Sequence, residues 1–364
     1  TGGRSSPGTA TSGALEFPFN GQTLAAGEYL FKWQRGSTII AECGPVSLVD
    51  VPDGPTIVTV SPSIADPGEI ITVNGVGFQD GASVLVWGGG PYSTGSVDTN
   101  NAVGVSVADG YAFVADGNSG LKIIDVSTPS SPVIVGSVDT PGDAIDVSVA
   151  DGYAYVADGN SGLQIIDIST PSAPVIVGSV DTPGEARGVT VADGYAYVAD
   201  GYGGLHVIDI GTPKLPVIAG SVVTPGYAID VTVADGYAYM ADESGLHVID
   251  IGTPTSPVIV GSVDTLGSAY GVTVADGYAY VTLGEGGLHV IDIGTPTLPV
   301  IVGSVYTPGN AWGVTAADGY AYVADEYSGL QVIDVSTPTL PVILGSLYTP
   351  GYAYGVTVAD GYAY

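Results

Sequence analysis

Hydrophobic residues recur in short runs of five to seven, and each run is interrupted by Gly, Pro or Asp. In one stretch of the chain the runs are Ala186–Ala192, Tyr195–Ala199, Leu205–Ile210 and Pro216–Val222. They are rich in Val, Ile, Tyr and Thr, which favour extended strands. A two-residue Asp-Gly connection joins the first two runs and is typical of a tight hairpin, because both residues tolerate positive φ. The pattern therefore predicts four short antiparallel strands.

The same four-run pattern recurs along the chain. The pentapeptide Ala-Asp-Gly-Tyr-Ala occurs seven times, 41 or 42 residues apart, with its Asp at positions 109, 151, 193, 235, 276, 318 and 360. A four-stranded sheet must pack on its neighbours to cover both faces, and radial packing of such sheets gives a β-propeller. A linear β-solenoid is the alternative, but its ladders are usually parallel, whereas Asp-Gly hairpins require antiparallel pairing. The sequence thus predicts an all-β fold with a propeller over residues 94–364.

The copies predict a seven-bladed propeller with an incomplete last blade. Six copies contain all four runs, whereas the seventh contains only Ala353–Ala359 and Gly361–Tyr364. Gly95–Thr99 precedes the first copy and matches part of an outer run, so Ser96 and Val97 are expected to close the ring as the outermost strand of blade seven. The third run of that blade is missing. We expect either that the chain continues past Tyr364 or that another segment fills this place.

The repeat resembles that of a known family. The runs LKIIDVSTPSSPVIVGSVDT, LQIIDISTPSAPVIVGSVDT and LHVIDIGTPTSPVIVGSVDT are similar to the LVIVD repeat of bacterial and archaeal surface proteins. The resemblance covers residues 95–364 and implies a β-propeller. It implies no particular activity, because the family is known as a module and not for a shared reaction.

The N-terminal residues lack the repeat. Residues 1–13 are rich in Gly, Ser and Thr and are expected to form a flexible tail. Residues 14–93 contain seven short β-type runs, which favour a small immunoglobulin-like sandwich. PTIVTVSPSIADPGEIITVNGVGFQDGASVLVWGGG, residues 55–90, is similar to the first half of an IPT/TIG domain and lacks that family's second half. Residues 14–50 would have to supply the missing strands.

One N-terminal run matches the strand that blade seven lacks. Val46, Leu48 and Asp50 lie in VSLVDV, which is similar to the third run at Leu330–Val335. An open sheet edge accepts an added strand. Residues 46–51 are therefore a candidate for strand exchange between subunits, and an ordinary strand of the N-terminal sandwich is the alternative.

Composition narrows the function classes. The chain has 6 Lys and Arg against 37 Asp and Glu, a formal net charge of −31, and this charge repels the phosphates of nucleic acid. A single cysteine provides neither an internal disulfide nor a cysteine zinc site. No apolar run approaches the length of a membrane span. An acidic, β-rich chain of this kind is typical of an extracellular or cell-surface protein.

The chemically active residue types mostly belong to the repeat. His206, His247 and His289 occupy one position in successive copies, too far apart to bind one metal ion. Asp158–Gly162 and its equivalents resemble calcium loops but lack their density of acidic residues, so calcium stays an open alternative to no cofactor. No nucleophile–base pair or phosphate loop stands out, and we predict that the protein is not an enzyme.

The positions just before each inner strand depart from the repeat. In the later copies they hold aromatic residues, which are expected to form one arc near the central channel: Tyr227, Tyr270, Trp312, Tyr352 and Tyr354. Aromatic faces stack on sugars and also suit protein interfaces. Simple capping of the channel is the alternative.

These observations predict an extracellular structural protein that assembles with itself into a surface filament through head-to-tail β contacts. The alternative is a cell-surface adhesin that uses the propeller face to bind a glycan or a surface protein. A propeller hydrolase or lyase is disfavoured, because no candidate catalytic residues stand out. Neither nucleic acid nor a membrane span is expected among its partners.

Overall fold

In the computed structural model, residues 91–364 are described in full, and residues 1–90 only through the backbone of six strands. The chain divides into two compact units, Thr1–Tyr92 and Ser93–Tyr364. The first contains β1 (Gly13–Phe17), β2 (Leu30–Arg35), β3 (Thr38–Cys43), β4 (Thr56–Ser61), β5 (Ile71–Val76) and β6 (Ser83–Trp87).

These strands pair in two three-stranded antiparallel sheets, in the orders β1–β5–β4 and β3–β2–β6. The remainder of residues 1–90 lies outside the described residues. The tail, the immunoglobulin-like sandwich and the IPT/TIG resemblance therefore stay predictions.

Six copies of the repeat each fold into a four-stranded antiparallel sheet, and these sheets are the blades of a β-propeller. The inner strands are β7 (Gly104–Ala108), β11 (Asp146–Ala150), β15 (Gly188–Ala192), β19 (Ala228–Ala234), β23 (Gly271–Ala275) and β27 (Val314–Ala317). The second strands are β8 (Tyr111–Ala115), β12 (Tyr153–Ala157), β16 (Tyr195–Ala199), β20 (Tyr237–Asp242), β24 (Tyr278–Thr282) and β28 (Tyr320–Ala324). The third strands are β9 (Leu121–Asp125), β13 (Leu163–Asp167), β17 (Leu205–Asp209), β21 (Gly245–Asp250), β25 (Leu288–Asp292) and β29 (Leu330–Asp334). The outer strands are β10 (Val133–Val138), β14 (Val175–Val180), β18 (Val217–Val222), β22 (Val258–Val263), β26 (Val300–Val305) and β30 (Val342–Leu347).

The Asp-Gly hairpins form as the sequence predicts. In all seven copies the aspartate has a φ of 50–53° and the following glycine a φ of 79–81°. Two successive positive φ angles give the turn whose twist matches that of paired strands. No helix of the described residues is long and apolar enough to cross a membrane.

Adjacent blades are held together by apolar side chains from both sheets. Between the first two blades, Phe113, Leu121 and Ile123 pack against Val147 and Ile166, and all five are buried. Fully burying one such side chain contributes about 1.5–3 kcal/mol. The same cluster recurs between later blades, so the core is a ring of interfaces around the central axis.

The described residues form six four-stranded blades, so the expected count of seven is wrong. The seventh copy forms only a two-stranded sheet, β31 (Val358–Ala359) with β32 (Tyr362–Ala363). The physical reason is that the described residues provide no Leu-x-Val-Ile-Asp run beside this copy, and the second and fourth strands of each of the six blades pair with such a run. The seventh copy still contacts its neighbours, since Gly313 N–H donates to the Tyr354 carbonyl and Tyr364 packs on the first blade.

The segment expected to close the ring forms no strand. Ser96 and Val97 lie in a stretch of irregular backbone. Val97 nevertheless packs against the apolar face of the first blade, and Gly95 lies against Pro129 and Pro132. Extended pairing is absent here because the described residues provide no third strand beside this segment.

Candidate binding site at the channel mouth

A central cavity of about 400 Å³ is lined by residues from all seven copies. In copies two to six, a fully buried alanine lies just before or at the start of the inner strand and hydrogen-bonds the backbone of the preceding blade, as Ala144 does with Gly117. Successive residues of extended chain point to opposite sides. The residue after each alanine, or its equivalent, therefore lines the cavity: Val103, Ile145, Arg187, Ile229, Tyr270, Trp312 and Tyr354.

Three of these residues form a continuous aromatic wall, defined as Tyr270, Trp312 and Tyr354. The centroids of Tyr270 and Trp312 lie 4.6 Å apart with their planes tilted by 51°. Trp312 and Tyr354 lie 5.6 Å apart at 83°, an edge-to-face contact. Such spacings are those preferred by aromatic pairs. Three successive copies thus present one apolar surface to the cavity.

The other two aromatic residues of the expected arc lie elsewhere. Tyr352 contacts Tyr354, with centroids 6.2 Å apart, but is 65% exposed and does not line the cavity. Tyr227 packs edge-on against Tyr202, with centroids 4.9 Å apart. The single arc predicted from the sequence is therefore divided, because Tyr227 does not line the cavity, whereas Ile229 of the same copy does.

Tyr227 belongs to a polar cluster on the third and fourth copies. Its hydroxyl donates to Glu185 Oε2 at 2.5 Å, and Arg187 Nη1 donates to Glu185 Oε1 at 3.0 Å. The Arg187 guanidinium lies 5.9 Å from the centroid of the Tyr227 ring, within cation–π range. Burial, together with the Glu185 carboxylate, raises the pKa of Tyr227 to about 12.

The cavity is also lined by two aspartates, Asp146 and Asp230, which the sequence analysis did not identify. Asp146 Oδ2 accepts from Val189 N–H at 2.9 Å, and Asp230 Oδ2 accepts from Val272 N–H at 2.8 Å, so each carboxylate reaches the next blade. Burial raises the pKa of both, and the charge of Asp146 helps to raise that of Asp230 to about 7. The available signal was a departure from the repeat, since the other copies have Gly at this position: Gly104, Gly188, Gly271, Gly313 and Gly355.

The aligned histidines have separate surroundings. His206 Nε2 lies 3.2 Å from Asp200 Oδ2, and His247 Nε2 lies 3.0 Å from Asp242 Oδ2. Burial lowers the pKa of His289. Within residues 91–364, no three metal-ligating side chains come together. The absence of a cofactor stays a prediction, and calcium stays its alternative.

The repeat aspartates of the loops act within the fold. Asp158 Oδ2 accepts from Gly142 N–H at 2.9 Å, so this loop aspartate connects its own blade to the segment that precedes it. The equivalent Asp325 accepts from Thr307 and Gly309. Val46, Leu48 and Asp50, the candidate strand-exchange residues, lie outside the described residues.

Comparison with known proteins agrees with this architecture. No curated protein matches the chain. Among solved structures, it is similar to the computationally designed protein Ika8, with a TM-score of 0.56 and 11% identity over 72% of this chain and 79% of that one. It is also similar to U3-55K, with a TM-score of 0.55 and 10% identity over 72% of this chain and 86% of that one. At such identities the likeness shows the fold alone.

The family is shown by the repeat. The LVIVD repeat model matches residues 100–140, 141–182, 183–224, 225–265, 266–307 and 308–349. These six segments coincide with the six blades and cover well over half of the chain, so the protein belongs to the LVIVD repeat family.

Proposed function

We propose that this chain is an extracellular binding module, a cell-surface adhesin for a glycan or a surface protein. Its ligand occupies the central cavity described above. The observation that carries the proposal is the aromatic wall of Tyr270, Trp312 and Tyr354 beside a cavity of about 400 Å³. Cavities with apolar walls and a few convergent polar groups are the usual form of ligand sites. This cavity is near the lower end of their size range, so it would hold one sugar ring or one side chain of a partner.

The distribution of sequence variation supports this assignment. The strands and hairpins are nearly identical among copies, whereas the residues that line the cavity differ in charge, size and aromaticity. A repeat that served only to build a ring would gain nothing from such differences. Aromatic rings stack on sugar faces and on apolar side chains without requiring a fixed hydrogen-bond pattern.

The test uses the full chain and a matched pair of variants. Trp312→Ala removes the centre of the aromatic wall, and Tyr306→Ala removes a tyrosine that is 79% exposed and lies outside the cavity lining. On arrays of defined saccharides and of surface proteins, we expect wild type and Tyr306→Ala to bind the same targets and Trp312→Ala to lose them. Equal binding by both variants, or no binding by wild type, would contradict the proposal.

The proposal assigns binding without turnover. It is supported by the described lining of the cavity, which contains no Ser, Cys, His or Lys, and by Asp146 and Asp230, each of which accepts a hydrogen bond from a backbone N–H of the next blade. Incubation of the chain with the saccharides that it binds is expected to leave them intact. Release of cleaved or eliminated products would replace the adhesin by a propeller hydrolase or lyase.

A second function, a self-assembling structural subunit of a surface filament, is favoured by apolar residues on the propeller periphery. Leu215, Leu298 and Leu340 precede the outer strands of three blades and are 68–73% exposed. Each outer strand follows a proline and contains a register shift, features that oppose edge-to-edge pairing. Contacts between side chains of separate molecules are therefore favoured over the head-to-tail β contacts that the sequence analysis predicts.

The chain provides its own control for this second function. The equivalents of these leucines in other blades are Ser131, Ala173 and Ser256, so the triple change to serine introduces a residue that the repeat already accepts. Light scattering and electron microscopy are expected to show concentration-dependent growth of wild type that the triple variant has lost. A wild-type chain that stays monomeric would rule out assembly and leave the adhesin.

A further inference from the structure

The groups that surround the cavity select one chemical class of ligand. Resting on the proposed binding function, we infer that the channel mouth holds an organic cation, an alkylammonium group that lies between the aromatic wall and the carboxylates of Asp146 and Asp230. Free quaternary amines and the ammonium groups of primary amines share this chemistry.

The aromatic wall provides the first half of such a site. The faces of Trp and Tyr carry negative quadrupole charge and attract a cation within about 6 Å of the ring centroid. Trp312 stands between Tyr270 and Tyr354 with planes inclined at 51° and 83°, so the three rings do not form a flat platform. An angled wall encloses a compact ammonium group on more than one side, whereas a flat sugar ring stacks best on a single plane.

The carboxylates provide the second half, and one of them hydrogen-bonds the strand that directly follows Tyr270. Asp230 Oδ2 accepts the N–H of Val272, which is two residues from Tyr270 on the same segment. Asp146 reaches the third copy in the same way through Val189. Both carboxylates are only partly shielded from the cavity, which they line.

The charge of the cavity is not balanced from within. Among the described residues, Arg187 is the only Lys or Arg that lines it, and its guanidinium is already engaged by Glu185 at 3.0 Å and by the Tyr227 ring. The hydrogen bonds that Asp146 and Asp230 accept come from uncharged backbone groups of Val189, Val231 and Val272. With a formal net charge of −31, the whole chain attracts cations and repels anions.

Other ligand classes use these groups less completely. An anionic sugar would meet two unpaired carboxylates, and a neutral sugar would leave them without a charged partner. A divalent metal ion requires at least three closely placed ligands, which the described residues do not bring together here. The contact of Arg187 with Tyr227 shows that a cation already lies against an aromatic ring at this end of the molecule.

The experiment compares a cation with its neutral isostere. Isothermal titration of the full chain at pH 8 uses choline and 3,3-dimethyl-1-butanol, which have the same shape but differ by one positive charge. We expect choline to bind and the neutral alcohol to bind at least about tenfold more weakly, because only the cation gains from the ring quadrupoles and the carboxylates. Equal affinity for the two would overturn the inference.

Variants assign the effect to the two halves of the site. Trp312→Ala and Asp230→Asn are each expected to weaken choline binding about tenfold, and Tyr306→Ala to leave it unchanged. Should Trp312→Ala fail to fold, as judged by circular dichroism, Tyr354→Ala removes a neighbouring ring of the same wall. Unchanged choline affinity in Asp230→Asn would also overturn the inference.

The remaining ligands distinguish the possible sources of the cation, and they distinguish a failure of cation binding from a failure of all ligand binding. n-Butylammonium represents the head of a lysine side chain, so tighter binding of it than of choline would identify a primary amine as the ligand group. Binding of saccharides but of neither amine would overturn the cation and retain the adhesin. Binding of no saccharide, surface protein or amine would refute both.

Discussion

Replacing Asp230 by asparagine should change how stability depends on pH. In the folded chain, burial and the nearby charge of Asp146 raise the pKa of Asp230 from 3.8 to about 7. Between about pH 4 and pH 7, this carboxyl is therefore protonated in the folded state and ionised in the unfolded state. Stability contributed by the protonated carboxyl is fully present below pH 4 and is lost as the pH rises through 7.

The magnitude follows from the shift. Three pKa units correspond to about 4 kcal/mol at about 1.4 kcal/mol per unit. Water in the open channel screens part of this, so the free energy of unfolding should fall by an amount on the order of 2–4 kcal/mol across the whole window. The sequence pI of about 4.1 favours precipitation near pH 4, so measurement begins at pH 5 and samples about two thirds of the effect.

Urea unfolding followed by circular dichroism at pH 5, 6, 7 and 8 tests this expectation. The stability of Asp230→Asn relative to wild type should rise by about 1–3 kcal/mol between pH 5 and pH 8, since asparagine does not ionise. Asp139→Asn removes a charge from an exposed loop and provides the control for general charge repulsion. A difference between Asp230→Asn and wild type that stays constant over this range would refute the reasoning.

Two further substitutions test other parts of the fold. Burial alone would raise the pKa of Asp242, but hydrogen bonds from His247 and Ser244 outweigh it and lower the pKa to about 2. Stability from this carboxylate is present above about pH 4 and lost toward pH 2. Between pH 7 and pH 2.5, on either side of the pI, the free energy of unfolding of His247→Gln, which copies Gln164 and Gln331, should therefore fall by about 1–2 kcal/mol less than that of wild type. At Gly178 a Cβ would lie 2.1 Å from the Pro213 carbonyl oxygen, so Gly178→Ala should lower the free energy of unfolding in urea by about 1–3 kcal/mol. Gly351→Ala is the control and should have almost no effect, because no atom lies within 4 Å of the new Cβ.

Local sequence was sufficient to place the strands. The run Tyr195–Ala199 is strand β16 with the same bounds, and the run Leu205–Ile210 differs from β17 by one residue. The outer strand begins at Val217 and not at Pro216, because proline has no N–H to donate to the ladder. These features depend on residues that are close in sequence, and a single copy of the repeat contains them all.

Contacts between copies were not predictable in the same way. Whether Tyr227 or Ile229 faces the cavity depends on the backbone pairing of Ala228 with Gly201 of the preceding blade. The coupling of Asp230 to Asp146 joins residues 84 positions apart and requires the curvature of the ring. The sequence of one copy contains no information about the backbone pairing between blades or about the proximity of the two aspartates. The sequence analysis therefore predicted a single aromatic arc and did not identify the acidic pair.

The acidic pair also connects stability to binding. Five copies have glycine at the position of Asp146 and Asp230, so the ring assembles without a carboxylate there. Placing two half-buried carboxylates in the channel costs stability at neutral pH, because burial and mutual repulsion disfavour their ionised forms. A cation bound between them and the aromatic wall would stabilise the ionised forms and offset that cost. The same residues that make the empty channel sensitive to pH are therefore those from which an organic cation would gain most.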